Sequence, residues 1–190
     1  EPRFYSIANA PGVEDLKIHD LEIHIKDNAR GGAASYALKS LNADDEVALR
    51  GPFGDVTWRP ESKKPLLMIA GGMGIAPLKA ILEDALERGH EAPVTLYWGV
   101  NDLADRYLHD EFEKLTRQYA NFTYISIIKN PVSDVIKAAQ KDLSGFEIYL
   151  AGPAEMIRAS VPHLLTSGAA PENVHSDHTA LLASILSGDV

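Results

Sequence analysis

The apolar positions of this chain follow two different rhythms, and the change between them falls at residues 58–59. In residues 1–58 the apolar runs are short and extended. Leu21, Ile23 and Ile25 alternate with Glu22, His24 and Lys26, the period-two pattern of a half-buried strand. Tyr5–Ala8 and Glu46–Leu49 read as further strands, with one helical run from Ser35 to Leu41, so this part is expected to be β-rich. Asp44-Asp45-Glu46 reads as a solvated turn. Trp58 to Pro65 carries two prolines and several charges, which predicts an exposed connector.

In residues 59–190 strands alternate with helices. Leu66-Leu67-Met68-Ile69 is a continuous apolar run, as in a strand buried on both faces. Leu78, Ile81, Leu82, Ala85 and Leu86 then recur at helical spacing, with Pro77 at the first helical position and Gly89 where a helix stop belongs. Further strands are expected at Val94–Trp98, Phe122–Ile128 and Phe146–Leu150, and helices at Leu103–Tyr119, Val132–Ala139 and Pro153–Ser167. Such alternation predicts a doubly wound parallel sheet, with ligands at the carboxyl ends of the strands. Gly71, Gly99 and Gly152 each follow a strand and so share that edge.

Between the first strand and its helix lies Ile69-Ala70-Gly71-Gly72-Met73-Gly74-Ile75-Ala76-Pro77. Glycines there let the backbone turn and approach a pyrophosphate, and the free N–H groups of the helix start favour negative charge. The run is no Walker loop, because no Gly-Lys-Ser/Thr follows, and it departs from G-x-G-x-x-G by ending in Pro77. Considered alone, it is also compatible with a tight turn that holds no ligand.

Composition narrows the function classes. The net charge of −9 over 190 residues argues against nucleic-acid binding, which needs basic patches. The absence of cysteine excludes disulfides, thiolate-held iron–sulfur clusters and zinc–thiolate sites within this sequence. No apolar stretch reaches the ~20 residues that span a bilayer and no basic-then-apolar leader precedes Arg3, so a cytoplasmic protein with no membrane partner is expected. His175, Asp177 and His178 could be drawn as metal ligands, but a solvated terminal segment is the simpler reading, and no metal is expected.

Three motifs stand in order: Arg3-Phe4-Tyr5-Ser6 (R-x-Y-S), Gly31-Gly32-Ala33-Ala34-Ser35 (G-G-x-x-S), and the glycine run from Gly71 to Pro77. Gly51-Pro52-Phe53-Gly54, Leu96-Tyr97-Trp98-Gly99 and Tyr149-Leu150-Ala151-Gly152-Pro153 continue the series. Together they resemble the ferredoxin-NADP reductase superfamily, above all its bacterial NAD(P)H-flavin reductases and oxygenase reductase components. The resemblance implies a partial flavin-binding β-barrel in residues 1–58, followed by an NAD(P)-binding domain in residues 59–190. It implies FAD (or FMN) as bound flavin, with Arg3 on a flavin phosphate, Tyr5 against the isoalloxazine and Ser6 hydrogen-bonded to flavin N5. Tyr5 and Ser6 would thus be the catalytic pair. His24, Lys26, Gly31, Gly32, Ala34 and Ser35 would complete the flavin site. Gly71, Gly72, Gly74, Pro77, Gly99, Asn101, Ala151, Gly152 and Pro153 would hold the nicotinamide nucleotide.

Two departures matter. Many members have Cys where this chain has Ala151, and the family's barrel has several strands before R-x-Y-S, which here starts at the third residue. About half the barrel is therefore expected to be missing, leaving sheet edges that are mobile or pair with a second copy as a homodimer. Val100-Asn101-Asp102 offers acceptors for a ribose hydroxyl and a carboxylate against a 2′-phosphate, which favours NADH over NADPH, with Arg106 and Lys129 as the residues that could reverse this. The expected activity is hydride transfer from NAD(P)H to flavin N5, with electrons passing to a ferredoxin, an oxygenase component or free flavin. The rival reading is a non-catalytic nucleotide-binding or interaction module.

Overall fold

A computed structural model describes residues 3–11, 20–27, 33–139 and 141–189. Its centre is a parallel sheet of β1 (Leu66–Gly71), β2 (Val94–Val100), β3 (Phe122–Ile128), β4 (Glu147–Ala151) and β5 (Val174–Ser176), in the order β3-β2-β1-β4-β5. β1 is buried along its whole length, because neighbours pair with both of its edges and helices cover both of its faces. Its side chains therefore divide by parity. Leu66, Met68 and Ala70 join a core with α2 (Ile75–Glu87) and α3 (His109–Gln118), while Leu67 and Ile69 face α4 (Val132–Ala139), α5 (Ala154–Thr166) and α6 (Thr179–Ser187). This is the doubly wound arrangement that the alternation predicts.

Helix α2 ends as expected. Gly89 has φ of 76°, its N–H bonds to the Leu86 carbonyl at 3.1 Å, and the His90 N–H reaches the Ala85 carbonyl at 2.9 Å, the paired closure of a left-handed stop. Pro77 is the third residue of α2 rather than the first, since the helix already starts at Ile75 behind a 3₁₀ turn over Gly72–Gly74. Its missing N–H is still harmless in the first turn.

Four further expectations need correction. β5 and α6 occupy the segment read as a solvated terminus: Ser176 is buried, and the His175 ring bonds the buried Glu147 carboxylate at 2.6 Å. Trp58 is no part of an exposed connector. It packs into the core beside α2, with its ring against His90, and the neighbouring Thr57 carbonyl accepts from the Tyr149 hydroxyl at 3.2 Å. The long helix expected over Leu103–Tyr119 is a 3₁₀ turn (Leu103–Asp105) followed by α3.

The fourth correction concerns the first 58 residues. Among the described residues there, the only regular element is α1 (Ala33–Ser40), and the extended runs form one antiparallel bridge, Ile7 to Ile23, in place of a sheet. The physical reason is pairing: an extended run with one neighbour satisfies few backbone groups and buries little of either face. The apolar side chains show it, with Phe4 88%, Leu49 63% and Phe53 63% exposed.

Candidate functional site

The chain runs from β1 outward to β3 and then returns to the other side of β1 as β4, so the crevice between the carboxyl ends of β1 and β4 is the topological switch point. A cleft of about 360 Å³ opens there. From the sheet side it is walled by Gly71, Gly72, Met73, Gly74 and Ala76, by Gly152 and Pro153, and by Asp177 after β5. From the N-terminal side come Phe4, Tyr5, Ser6 and His24.

Two glycines explain how the sheet wall closes. A Cβ on Gly74 would stand 2.1 Å from the Ala151 carbonyl oxygen and 2.5 Å from the Gly152 nitrogen, so a side chain there would drive the glycine turn off the end of β4. Gly152 has φ of 145°, and a Cβ on it would stand 2.9 Å from both the Gly71 nitrogen and oxygen. The two loops thus touch backbone to backbone at Gly71, Gly74 and Gly152. The indole N–H of Trp98 donates to the Gly72 carbonyl at 2.9 Å and holds the turn from below.

The opposite wall is an extended pair of segments, residues 3–11 and 20–27. The Ala8 N–H bonds to the Glu22 carbonyl at 2.9 Å, and the Asn9 amide bonds Glu22 N–H and Asp20 carbonyl, both at 2.9 Å. His24 is fixed at both ring nitrogens. Its Nε2 lies 2.5 Å from a Glu22 oxygen and its Nδ1 2.6 Å from the Tyr107 hydroxyl. The tautomer with the proton on Nε2 satisfies both, donating to the carboxylate and accepting from the phenol. Burial, with Glu22 and Glu111 nearby, pushes the Tyr107 phenol well above its usual range, so it keeps its proton to donate. Tyr107 also packs edge-on against both His24 and Trp98, joining the two walls.

Asp177 is the acidic group of the cleft. Crowding by surrounding protein raises its carboxyl, against the opposing effects of His178, the Ser176 hydroxyl and the Gly152 N–H. Glu22 shifts the other way: partial burial pushes it up, but hydrogen bonds from His24 and Lys79 and the lysine charge leave it lowered.

Of the residues expected at a cofactor, the cleft brings together Tyr5, Ser6, His24, Gly71, Gly72, Gly74, Gly152 and Pro153. Ala151 lies directly behind, buried, with its carbonyl against Gly74. Gly99 serves packing: a Cβ there would stand 2.0 Å from a Val132 methyl, so it faces α4 and not the cleft. Asn101 is exposed beyond β2. Arg3 is exposed outside the cleft, Lys26 is paired with Asp105 at 2.5 Å, and Ala34 and Ser35 lie in α1. Gly31 and Gly32 lie outside the described residues. Sequence reasoning missed Asp177, Trp98 and Tyr107. Asp177 had one available signal, an acid directly after a short β-branched and polar run, but only the β4–β5 pairing brings it to the cleft.

The fold and cleft define a class, a doubly wound α/β domain with a second segment facing the carboxyl edge of its sheet at the switch point. The family model for the oxidoreductase NAD-binding domain matches residues 68–161. A probable flavin reductase of Photobacterium leiognathi is 33% identical over 85% of this chain and 73% of its own length. The phenol hydroxylase P5 protein of Acinetobacter pittii is 28% identical over 92% of this chain and 52% of its own. Among solved structures, the Amycolatopsis cytochrome P450 reductase GcoB superposes with a TM-score of 0.79 at 28% identity, over 91% of this chain and 55% of that one. The chain belongs to the family of the NAD(P)H-flavin reductases. It spans about three quarters of the flavin reductases it matches and about half of the oxygenase reductases.

Proposed function

We propose that this chain carries the hydride-transfer centre of an NAD(P)H-dependent flavin reductase, with NADH as donor and FAD as the resident flavin. The observation that carries the reading is the cleft in which Tyr5 and Ser6 face the glycine cradle at the β1–β4 switch point. The cradle suits a nicotinamide nucleotide: the glycine backbone at Gly71, Gly72 and Gly74 permits close approach, and the start of α2 lies beside it for a phosphate. The opposite wall suits a flat ring, because Tyr5 offers a half-open phenol face and Ser6 a hydroxyl toward the same space. Bound flavin would supply the hydride-accepting chemistry, and the protein would supply positioning, with reacting atoms held about 3–3.5 Å apart. In this reading Ser6 bonds the accepting edge of the ring, Tyr5 packs on its face, and Gly152–Pro153 keeps water from the nicotinamide side. Arg3, Lys26, Ala34 and Ser35, which lie outside the cleft, would serve the flavin phosphates.

The preference for NADH rests on the carboxyl edge of β2. Asp102 there accepts from the Leu103 N–H at 2.8 Å, which fixes its charge beside Asn101 where an adenosine 2′-phosphate would come. For the acceptor we propose an oxygenase component, a ferredoxin or free flavin, in the cytoplasm; no helix among the described residues is long and apolar enough to cross a membrane. Anaerobic mixing of the purified protein, FAD and NADH tests the centre. The yellow flavin absorbance should bleach, and Ser6→Ala should slow the bleaching with the NADH affinity unchanged. No bleaching under saturating NADH would leave the rival reading, a nucleotide-binding module without turnover.

A further inference from the structure

Lys79 interrupts the apolar stripe of α2 and is only 5% exposed, a position where an unpaired cation would be strongly disfavoured. Its ammonium is instead gathered by both halves of the molecule. Within the sheet domain it lies 2.6 Å from Glu83, one turn on, and 3.8 Å from Glu111 on α3. Across the seam it donates to the Ala8 carbonyl and to a Glu22 oxygen, each at 3.2 Å. The other Glu22 oxygen holds His24, whose ring lines the cleft. Ala8 is two residues from Ser6. One buried cation therefore grips both extended segments at the points that carry the cleft-facing side chains.

We propose that Lys79 is a positioning residue, which through Ala8 and the Glu22–His24 pair fixes Tyr5, Ser6 and His24 opposite the glycine cradle. The functional half of this inference rests on the flavin reading above; the geometric half does not. Helix packing alone does not account for the arrangement. Glu83 would suffice as an intrahelical partner, and a lysine serving only α2 could extend to solvent along its stem. Here the side chain turns inward and its donors are shared with a backbone carbonyl and a carboxylate that belong to the opposite wall. The wall's other ties to the sheet domain run through single side chains, with the Ala10 N–H on Glu83 at 3.2 Å, His24 on the Tyr107 hydroxyl and Lys26 on Asp105, whereas Lys79 reaches both extended segments at once.

The test compares the parent protein with Lys79→Met, Lys79→Arg and Glu22→Gln. Three measurements are made: hydrogen exchange of the peptides covering residues 3–11 and 20–27, NADH affinity by fluorescence titration, and the rate of FAD reduction at saturating NADH. Lys79→Met should speed exchange in both peptides by about tenfold while leaving exchange in β1 unchanged. NADH affinity should stay within about twofold, and flavin reduction should slow by at least about tenfold, the size expected when a reacting geometry is loosened. Lys79→Arg should recover part of the reduction rate, because it restores a cation that can reach Ala8 and Glu22. Glu22→Gln leaves α2 intact and should show the same changes in smaller measure, so it decides the matter if Lys79→Met does not fold. Unchanged exchange in both variants overturns the proposal, and so does faster exchange with an undiminished reduction rate. If the parent reduces no flavin, the functional reading fails, and the exchange comparison still decides whether Lys79 holds the wall.

Discussion

The two halves of this molecule use similar residues to different ends. Leu67 in β1 and Leu49 in the N-terminal half both lie in runs that read as strands, yet Leu67 is fully buried and Leu49 is 63% exposed. Leu67 has β2 and β4 beside it and helices over it, whereas residues 46–49 form no element with any described residue. An extended sequence becomes a strand when something pairs with its edges and covers a face; the pattern alone supplies only the capacity. The same contrast governs the cleft. Its sheet wall is set by backbone contact between two glycine loops, and its other wall by hydrogen bonds and a charge cluster around the buried Lys79.

Substitutions can break the contrast at different depths. Leu67→Ala should cost about 2–5 kcal/mol in urea unfolding, the range for emptying a packed core site, whereas Leu49→Ala should stay within about 0.5 kcal/mol. Equal losses would show that residues 46–49 are packed as a core strand. Gly74→Ala should cost on the order of 1–3 kcal/mol, because the added methyl meets the Ala151 carbonyl. It should also weaken NADH binding by about tenfold or more, the equivalent of 1.4 kcal/mol. A titration that finds normal NADH affinity in this variant would move the nucleotide away from the β1–β4 crevice.

A smaller effect separates the walls by pH. The Asp177 carboxyl is raised in the fold, so its charged form is penalised at neutral pH and the penalty disappears as pH falls through the folded pKa. Asp177→Asn should therefore raise Tm slightly at pH 7, with the gain shrinking toward pH 4. Glu22 has the opposite sign: its lowered carboxyl favours the fold above its unfolded pKa, and that contribution is lost as pH falls through the folded value. Glu22→Gln should lower Tm at pH 7, with the deficit narrowing in acid. Thermal scans of both variants across pH 4–7 check the pair of slopes.

What was legible in the sequence follows the same division. β1, the glycine cradle, the left-handed stop at Gly89 and the three inner helical segments were readable, because each depends on neighbours close in the chain or on strong apolar periodicity. β5 was not, since Val174-His175-Ser176 is short and two-thirds polar, and its strand character comes from pairing with β4. α6 was hidden because Thr179–Ser187 is apolar on most sides and shows no sharp stripe. Gly99 follows a strand as Gly71 does, yet only the packing of Val132 tells its use from that of Gly71. Lys79 did leave a trace, as a lysine four residues after Ile75 on the buried stripe, but a cation there becomes meaningful only once Glu22 and Ala8 are seen to arrive from 57 and 71 residues away.

Calorimetric titration of this chain with NADH and, separately, with FAD tests most directly the claim that the nucleotide wall is complete in itself and the flavin wall depends on side-chain ties across the seam, Lys79 first among them. The account predicts stoichiometric NADH binding that Gly74→Ala weakens and Lys79→Met leaves alone, together with weaker FAD binding that Lys79→Met reduces further. Tight stoichiometric FAD binding that exceeds the affinity for NADH and is indifferent to Lys79→Met would contradict it.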